Sequence, residues 1–307
     1  MPQDDPQNQQ PESQRPAPAQ NATAQSDWRN LFAVPAPVKK VFQKFPLVTY
    51  PRNASPLRTP EESHVATLYI FSDPEGVQSG APSFNPSCLK WQTYLKFSGV
   101  EFRTAASNNH ASPTGVLPFL LPGSSTSKHD ALAPVPANRL RAWAADHGKA
   151  VEDSKDLRTD TYMSLLDHRI RRAWLYTLYL ESDNFSTVAN RLYVHPSSSN
   201  VFVNLAISYQ LRQAAETEVL KQTPQICVQD LLAEAAEAFG ALSTLLGQDE
   251  WFFAAKKPGL FDASVFAYTH LLLDEDMGWR VNEVAFALKG YSNLVRHRKR
   301  IYKQYYC

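Results

Sequence analysis

The strongest chemical signal in the 307-residue chain is Asn85-Pro86-Ser87-Cys88, which has Cys-x-x-Cys spacing with asparagine in the first position. Dithiol exchange needs both sulfurs, so that chemistry is excluded. Cys88 alone, near the start of a helix, has two readings. It is either a monothiol nucleophile with a lowered pKa or a small buried apolar residue. The other cysteines, Cys227 and Cys307, are far from it and from each other. Three scattered cysteines make neither a disulfide framework nor a zinc site, and they fit a reducing compartment. The chain has no glycine-rich phosphate loop with lysine, no His-Glu-x-x-His and no Gly-x-Ser-x-Gly. His129-Asp130, in a Ser/Gly/Lys stretch, reads as a solvated turn, and His168, between Asp167 and Arg169, as a helix-surface residue. The glycosylation sequons at Asn21 and Asn184 carry no weight without a secretory signal.

The elements that must position Cys88 alternate between strand and helix. Residues 65–71 (VATLYIF) are β-branched and aromatic and predict a buried strand. Residues 72–85 predict a loop. Residues 86–97 predict a helix, with Pro86 in its first turn and Gly99 ending it. Residues 100–105 predict a second strand. Residues 115–121 predict a third, entered through Pro118, and 136–148 a helix closed by Gly148. From Asp156 onward the pattern is all-helical, with wide apolar stripes over 159–181 and 227–247 and a helix over 201–221 that starts apolar and ends charged. Residues 261–273 are nearly all apolar and predict a central buried helix. One or two more helices follow over 281–306.

Composition sets the remaining bounds. Hydrophobic residues make up 43% of the chain, enough for a real core, and the length suggests about two domains. Lysine plus arginine (31) nearly cancels aspartate plus glutamate (30), so no net charge drives nucleic-acid binding. The uncharged stretch 192–211 contains His195, Pro196 and three consecutive serines and is not a membrane span. The N-terminus has neither an apolar signal core nor an Arg-rich, acid-poor presequence, so secretion and matrix import are not expected. Residues 1–27 are Gln-, Pro-, Ala- and Ser-rich and predict a disordered tail. Residues 28–64 form a proline-punctuated arm carrying Phe42, Phe45, Pro46, Leu47 and Tyr50. It is too apolar to hang free in water, and it docks either on its own domain or on a partner. The basic run Arg296, Arg298, Lys299 and Arg300 also has two readings. One is a solvated last helix whose cations complement the helix dipole, and the other is a surface for anionic lipid headgroups or an acidic partner.

A small α/β half with a proline-entered third strand, followed by an all-helical half, is similar to the glutathione-transferase fold. That is a two-domain α+β/all-α architecture with a thioredoxin-like domain over 65–150 and an all-helical domain over 151–307. Leu117-Pro118-Phe119 resembles the cis-proline entry of such domains. Residues 259–266 (GLFDASVF) resemble the capping motif of the buried helix, with Gly259 at the cap and Asp262 at the third helical position, so Pro118 and Asp262 are structural residues. Where transferases hold glutathione with a Glu/Gln-Ser pair, this chain has Val135-Pro136-Ala137-Asn138, without hydroxyl or carboxylate at that point. The resemblance therefore implies the fold without its site, with no catalytic residue, cofactor or metal.

FSDPEGVQSGAPSFNPSCLKWQTYLKFSGVEFR, followed by GVLPFLLPG, resembles the metaxin family. The arm VKKVFQKFPLVTYP, the helix YMSLLDHRIRRAWLYTLYLE and the late FDASVFAYTHLLL extend the likeness to about 30–307. It is nearest the small peripheral branch found in the fungal mitochondrial sorting and assembly machinery (SAM or TOB complex). The resemblance implies a non-enzymatic subunit on the cytosolic face of the mitochondrial outer membrane. Its expected partners are a BamA-like β-barrel core subunit, a larger metaxin-like subunit and β-barrel precursor proteins, with peripheral contact to the membrane surface and none to nucleic acid. The larger subunit usually carries a C-terminal anchor. The ending Tyr305-Tyr306-Cys307 shows none and points to the small one. The alternative is a soluble glutathione-transferase-like or monothiol redox enzyme using Cys88.

The arm yields a test. Each large apolar side chain left in water forgoes about 1.5–3 kcal/mol, so the arm must dock. The variant Phe42→Ala with Phe45→Ala is expected to lower the melting temperature of the isolated protein, or, if the arm docks only on a partner, to block assembly at an unchanged melting temperature. Deleting 1–27 should do neither. A double variant that melts and assembles like wild type would exclude both modes.

Overall fold

Alternate burial of Ala66, Leu68 and Ile70 makes β1 (Ala66–Ile70) the strand around which the small sheet forms. The computed structural model describes residues 65–123, 133–149, 151 and 156–307, all within one unit spanning 58–307. The tail, the arm with Phe42, Phe45, Pro46, Leu47 and Tyr50, and His129-Asp130 lie outside the described residues.

β1 pairs in parallel with β2 (Phe102–Ala106) and antiparallel with β3 (Phe119–Leu121), which pairs antiparallel with β4 (Val135–Pro136). The strand order is β2-β1-β3-β4. The Leu117–Pro118 bond that leads into β3 is cis. The expected loop over 72–85 contains a short helix, α1 (Pro74–Ser79). Asp73 starts it by accepting from Gly76 N at 2.6 Å, and Gly80 stops it in the left-handed conformation, at φ 69°. Next, α2 (Pro86–Phe97) packs Cys88, Trp91, Tyr94 and Leu95 into the sheet core. Gln92 fixes the loop before it, accepting from Ser83 N at 2.9 Å and donating to Ala81 O at 2.8 Å. α3 (Leu140–His147) closes the same core with Leu140 and Ala144.

The helical part starts with α4 (158–180) and α5 (182–194), both wound partly as π-helix. α5 has no counterpart in the sequence reading. Glu181 separates the two, its carboxylate accepting from Asn184 N at 2.7 Å. Asn184 is fully buried. Its amide donates to Thr177 O and Val281 O and accepts from Arg280 N and Val281 N, so this sequon is an internal bridge. There follow α6 (Val201–Val219), α7 (Val228–Leu246), α8 (Leu260–Leu273), α9 (Glu283–Lys289) and α10 (Ser292–Tyr305).

α8 is the central buried helix expected from its composition. Its Val265, Phe266, Leu271 and Leu272 belong to the helical core, while Ala263 reaches the sheet core. From the other side, Leu89 of α2 reaches the helical core. The chain terminus closes this seam. Thr93 and Tyr306 share a hydroxyl hydrogen bond at 2.7 Å, and Lys96 Nζ donates to Tyr305 O at 2.9 Å.

Asp262 starts α8 and is buried. It accepts from Gly259 N at 3.0 Å, from Phe252 N at 3.1 Å and from His297 Nε2 at 2.9 Å. A carboxylate is acceptor-only, so the His297 proton facing it sits on Nε2. Removing Asp262 leaves two amides and an imidazole unpaired in the core. Asp262→Ala is expected to cost roughly 3–5 kcal/mol, read by denaturant unfolding. A loss under about 1 kcal/mol would show that the network is dispensable.

Candidate interaction surfaces and the filled catalytic position

The place where a first thiol would stand is a helix cap. The Asn85 side chain accepts from Ser87 N at 3.0 Å and Cys88 N at 3.2 Å. Its amide donates to the Tyr193 hydroxyl at 3.4 Å, and that hydroxyl donates to Phe84 O at 3.3 Å. Tyr193 of α5 stands edge-on to Phe71 at 5.1 Å and to Phe84 at 5.3 Å, filling the space in front of α2 with rings. A crevice of about 410 Å³ remains beside them, bounded by Phe71, Asp73, Asn108, Arg191 and Tyr193. Arg191 is committed to the carbonyls of Asp276 and Met277 at 3.2 and 2.9 Å.

Cys88 is fully buried, and burial pushes its thiol up to about 12. Of its two readings, the buried apolar one describes it. At the position where transferases hold the γ-glutamyl group, β4 runs into a turn at 137–139 with no side-chain cap. Pro118 is buried, at the entry to β3. No group of His, Cys, Asp and Glu among the described residues is placed to hold a metal ion.

Two surfaces are open instead. The first is the start of α6. Asn200 caps it, accepting from Phe202 N at 2.9 Å. Val201, Phe202, Val203, Leu205 and Tyr209 are all exposed, Phe202 by 85%. Arg212 is the first charge of the helix. Beyond it the helix is held, by Arg171–Glu218 at 2.6 Å and by burial of Ala215 and Val219. The start of the helix thus exposes apolar side chains on several sides, although Ser208 already donates to Asn190 Oδ1 at 3.2 Å. An uncharged stretch reads in sequence as core, which is why this surface escaped it. The clue was the absence of a single apolar stripe.

The second surface is α10, where the four expected cations do not form one patch. Arg296 and Lys299 are exposed. Arg298 turns inward, donating to His270 Nδ1 at 3.2 Å, and Arg300 donates to Glu250 O at 2.5 Å and lies over Trp251. His270 accepts that bond, so its ring is neutral, and burial aided by Arg298 holds its pKa down at about 3. His168 is exposed, as expected, and contacts Gln222.

Residues 86–184 match the family model for the glutathione S-transferase N-terminal domain, and 235–301 match that for its C-terminal domain. With the sheet and helix order above, these establish a glutathione-transferase-like two-domain fold. Residues 32–88 match the model of SAM35, a subunit of the SAM complex. Metaxin-1 of Macaca fascicularis is 26% identical over 238 residues, covering 74% of this chain and 72% of that one. The chain is similar to the metaxins along about three quarters of its length. Human Metaxin-2 is 23% identical over 73% of this chain and 83% of its own length. Human Metaxin-1 is matched over 49% of its length, so the chain spans about half of that relative. Among solved structures, glutaredoxin 2 of Salmonella typhimurium superposes at a TM-score of 0.45 with 14% identity, over 79% of this chain and 95% of that one.

The burial of Cys88 makes a direct prediction. A thiol reagent applied to the native protein at neutral pH should label Cys307, which is exposed, and Cys227, which is partly so. Cys88 should react only after denaturation. Peptide mapping that finds Cys88 labelled in the native state would restore the monothiol reading.

Proposed function

We propose that this chain is a non-enzymatic, peripheral subunit of the mitochondrial outer-membrane sorting and assembly machinery. On this reading it lies on the cytosolic face, bound to a BamA-like β-barrel core subunit and a larger metaxin-like subunit. There it helps receive β-barrel precursors through their sorting signal and supports their insertion. Similarity to the metaxins and the SAM35 match over 32–88 support a role in that complex. No helix among the described residues is long and apolar enough to cross a membrane, so attachment through partners fits.

The observation that carries the adaptor reading is the exposed, uncharged start of α6 on a fold whose catalytic position is filled. An apolar surface around Phe202 and Leu205 is what a protein partner buries, and each such side chain covered contributes about 1.5–3 kcal/mol. The aromatic arm, with Phe42, Phe45, Pro46, Leu47 and Tyr50, remains our second candidate for partner docking. The enzyme alternative needs a reachable Cys88 or a glutathione-holding pair, and neither is in place.

Native purification from mitochondria tests this. The wild-type chain should bring down a BamA-type barrel. Phe202→Asp with Leu205→Asp should lose it while keeping its melting temperature, because both side chains are already in water. Glutathione conjugation turnover by the pure protein, or no barrel in the wild-type eluate, would overturn the proposal. A double variant that still retains the barrel would remove α6 as the docking surface.

A further inference from the structure

Beside the seam of α9 and α10 runs an open groove of about 660 Å³. Phe286 and Lys289, one turn apart on α9, form one side, and Val295 and Lys299 of α10 line it too. The Phe286 ring is 83% exposed although its helix is otherwise packed through Val284, Ala285 and Leu288. Along α10, Arg296, Lys299 and Lys303 recur at three- and four-residue spacing and so share one face, and all three are exposed. α10 has no acidic residue. Among the described residues, none of Lys289, Arg296, Lys299 and Lys303 has an ion-pair partner, whereas Arg169, Arg171 and Arg172 each do. The acids nearby are Asp274 and Glu275, which line the groove, and Glu283, a turn before Phe286.

We infer that the α9–α10 groove and its cationic edge rest on an anionic bilayer, with Lys289, Arg296, Lys299 and Lys303 at the headgroups and Phe286 reaching below them. The inference rests on the membrane-surface placement proposed above and adds the face that meets the lipid. The argument is charge complementarity. Four exposed cations without ion-pair partners, two of which line the groove with an exposed aromatic ring, match a bilayer interface, which offers continuous negative charge directly above an apolar layer. Arg298 also lines the groove but donates to His270, and Arg300 is turned to the Glu250 carbonyl. An acidic protein segment would complement the cations but leave Phe286 without a partner.

The test is flotation of the full chain with vesicles of phosphatidylcholine alone and of phosphatidylcholine doped with phosphatidylinositol. The wild-type protein should float with the anionic vesicles only, and raising salt should weaken the binding. Lys289→Glu with Lys299→Glu should weaken it by at least about tenfold at an unchanged melting temperature. Phe286→Ser should weaken it less and leave the salt dependence in place. Equal binding to neutral vesicles, or wild-type binding by the charge-reversed variant, overturns the inference. So does displacement by inorganic phosphate at matched ionic strength, which would make this a simple phosphate site. Capture of poly-glutamate without capture of vesicles would assign the face to an acidic protein and overturn it too. The two readings fail separately: lost flotation with the barrel still co-eluting removes only the lipid face, and the reverse removes only the adaptor.

Discussion

One buried carboxylate organises the helical half of this protein. Asp262 sits in the core, where an ion must be surrounded by donors. Its three donors come from three places: the Gly259 turn, the Phe252 amide and the side chain of α10. Satisfying one side chain thereby fixes the start of the central helix, the segment before it and the last helix. The segment before it is under strain. Phe253 and Ala254 have φ of 61° and 51°, a left-handed backbone that costs a non-glycine residue about 1–2 kcal/mol each. The local gain is that Phe252 can bury its ring against Phe261, at 5.0 Å, while its N–H faces the carboxylate. α8, placed in this way, is then shared by both cores.

In the α/β half the frame of the fold is kept while capping and packing occupy the helix start. At the helix start, the amide of Asn85 performs the capping that holds α2 in place. Tyr193 then bonds both Asn85 and the carbonyl of Phe84, so a residue of the helical half is part of the frame around the position. Burial has raised the one sulfur that remains out of the range where a thiolate forms. Rings and a cap thus fill the space at this helix start, and the exposed apolar and cationic surfaces lie elsewhere, on helices.

Much of this was legible. The strand of β1, the α2 start, the proline before β3 and the apolar run of α8 follow from local rules: β-branched periodicity, proline in a first turn, and a helix too apolar to face water. Two helices were not legible. α1 has six residues and buries none, so it gives no stripe, and only Asp73-Pro74 announces it. α5 buries Phe185, Val188, Ala189, Tyr193 and Val194, four of them at helical spacing, but Ser182, Asp183, Asn184, Ser186 and Thr187 give its start the composition of a loop. The surfaces were harder still. A run of basic residues looks the same in sequence whether its members face outward or inward. Only tertiary packing sends Arg298 to His270 and leaves Arg296 in water. The uncharged start of α6 reads like core because exposure of an apolar residue is a property of the assembly, not of the residue.

That last feature bears on how the protein lives in a cell. Phe202 and its neighbours are not the result of misfolding, since Asn200 caps their helix and its far end is firmly held. A correctly folded copy without its partner therefore shows the kind of surface that holding chaperones recognise and that drives self-association. On the docking proposed above, folding does not end its dependence on other proteins. Supply of this chain beyond that of the partner proposed to cover α6 would then be limited by solubility, and the stoichiometry of the assembly would be written partly into the surface of one subunit.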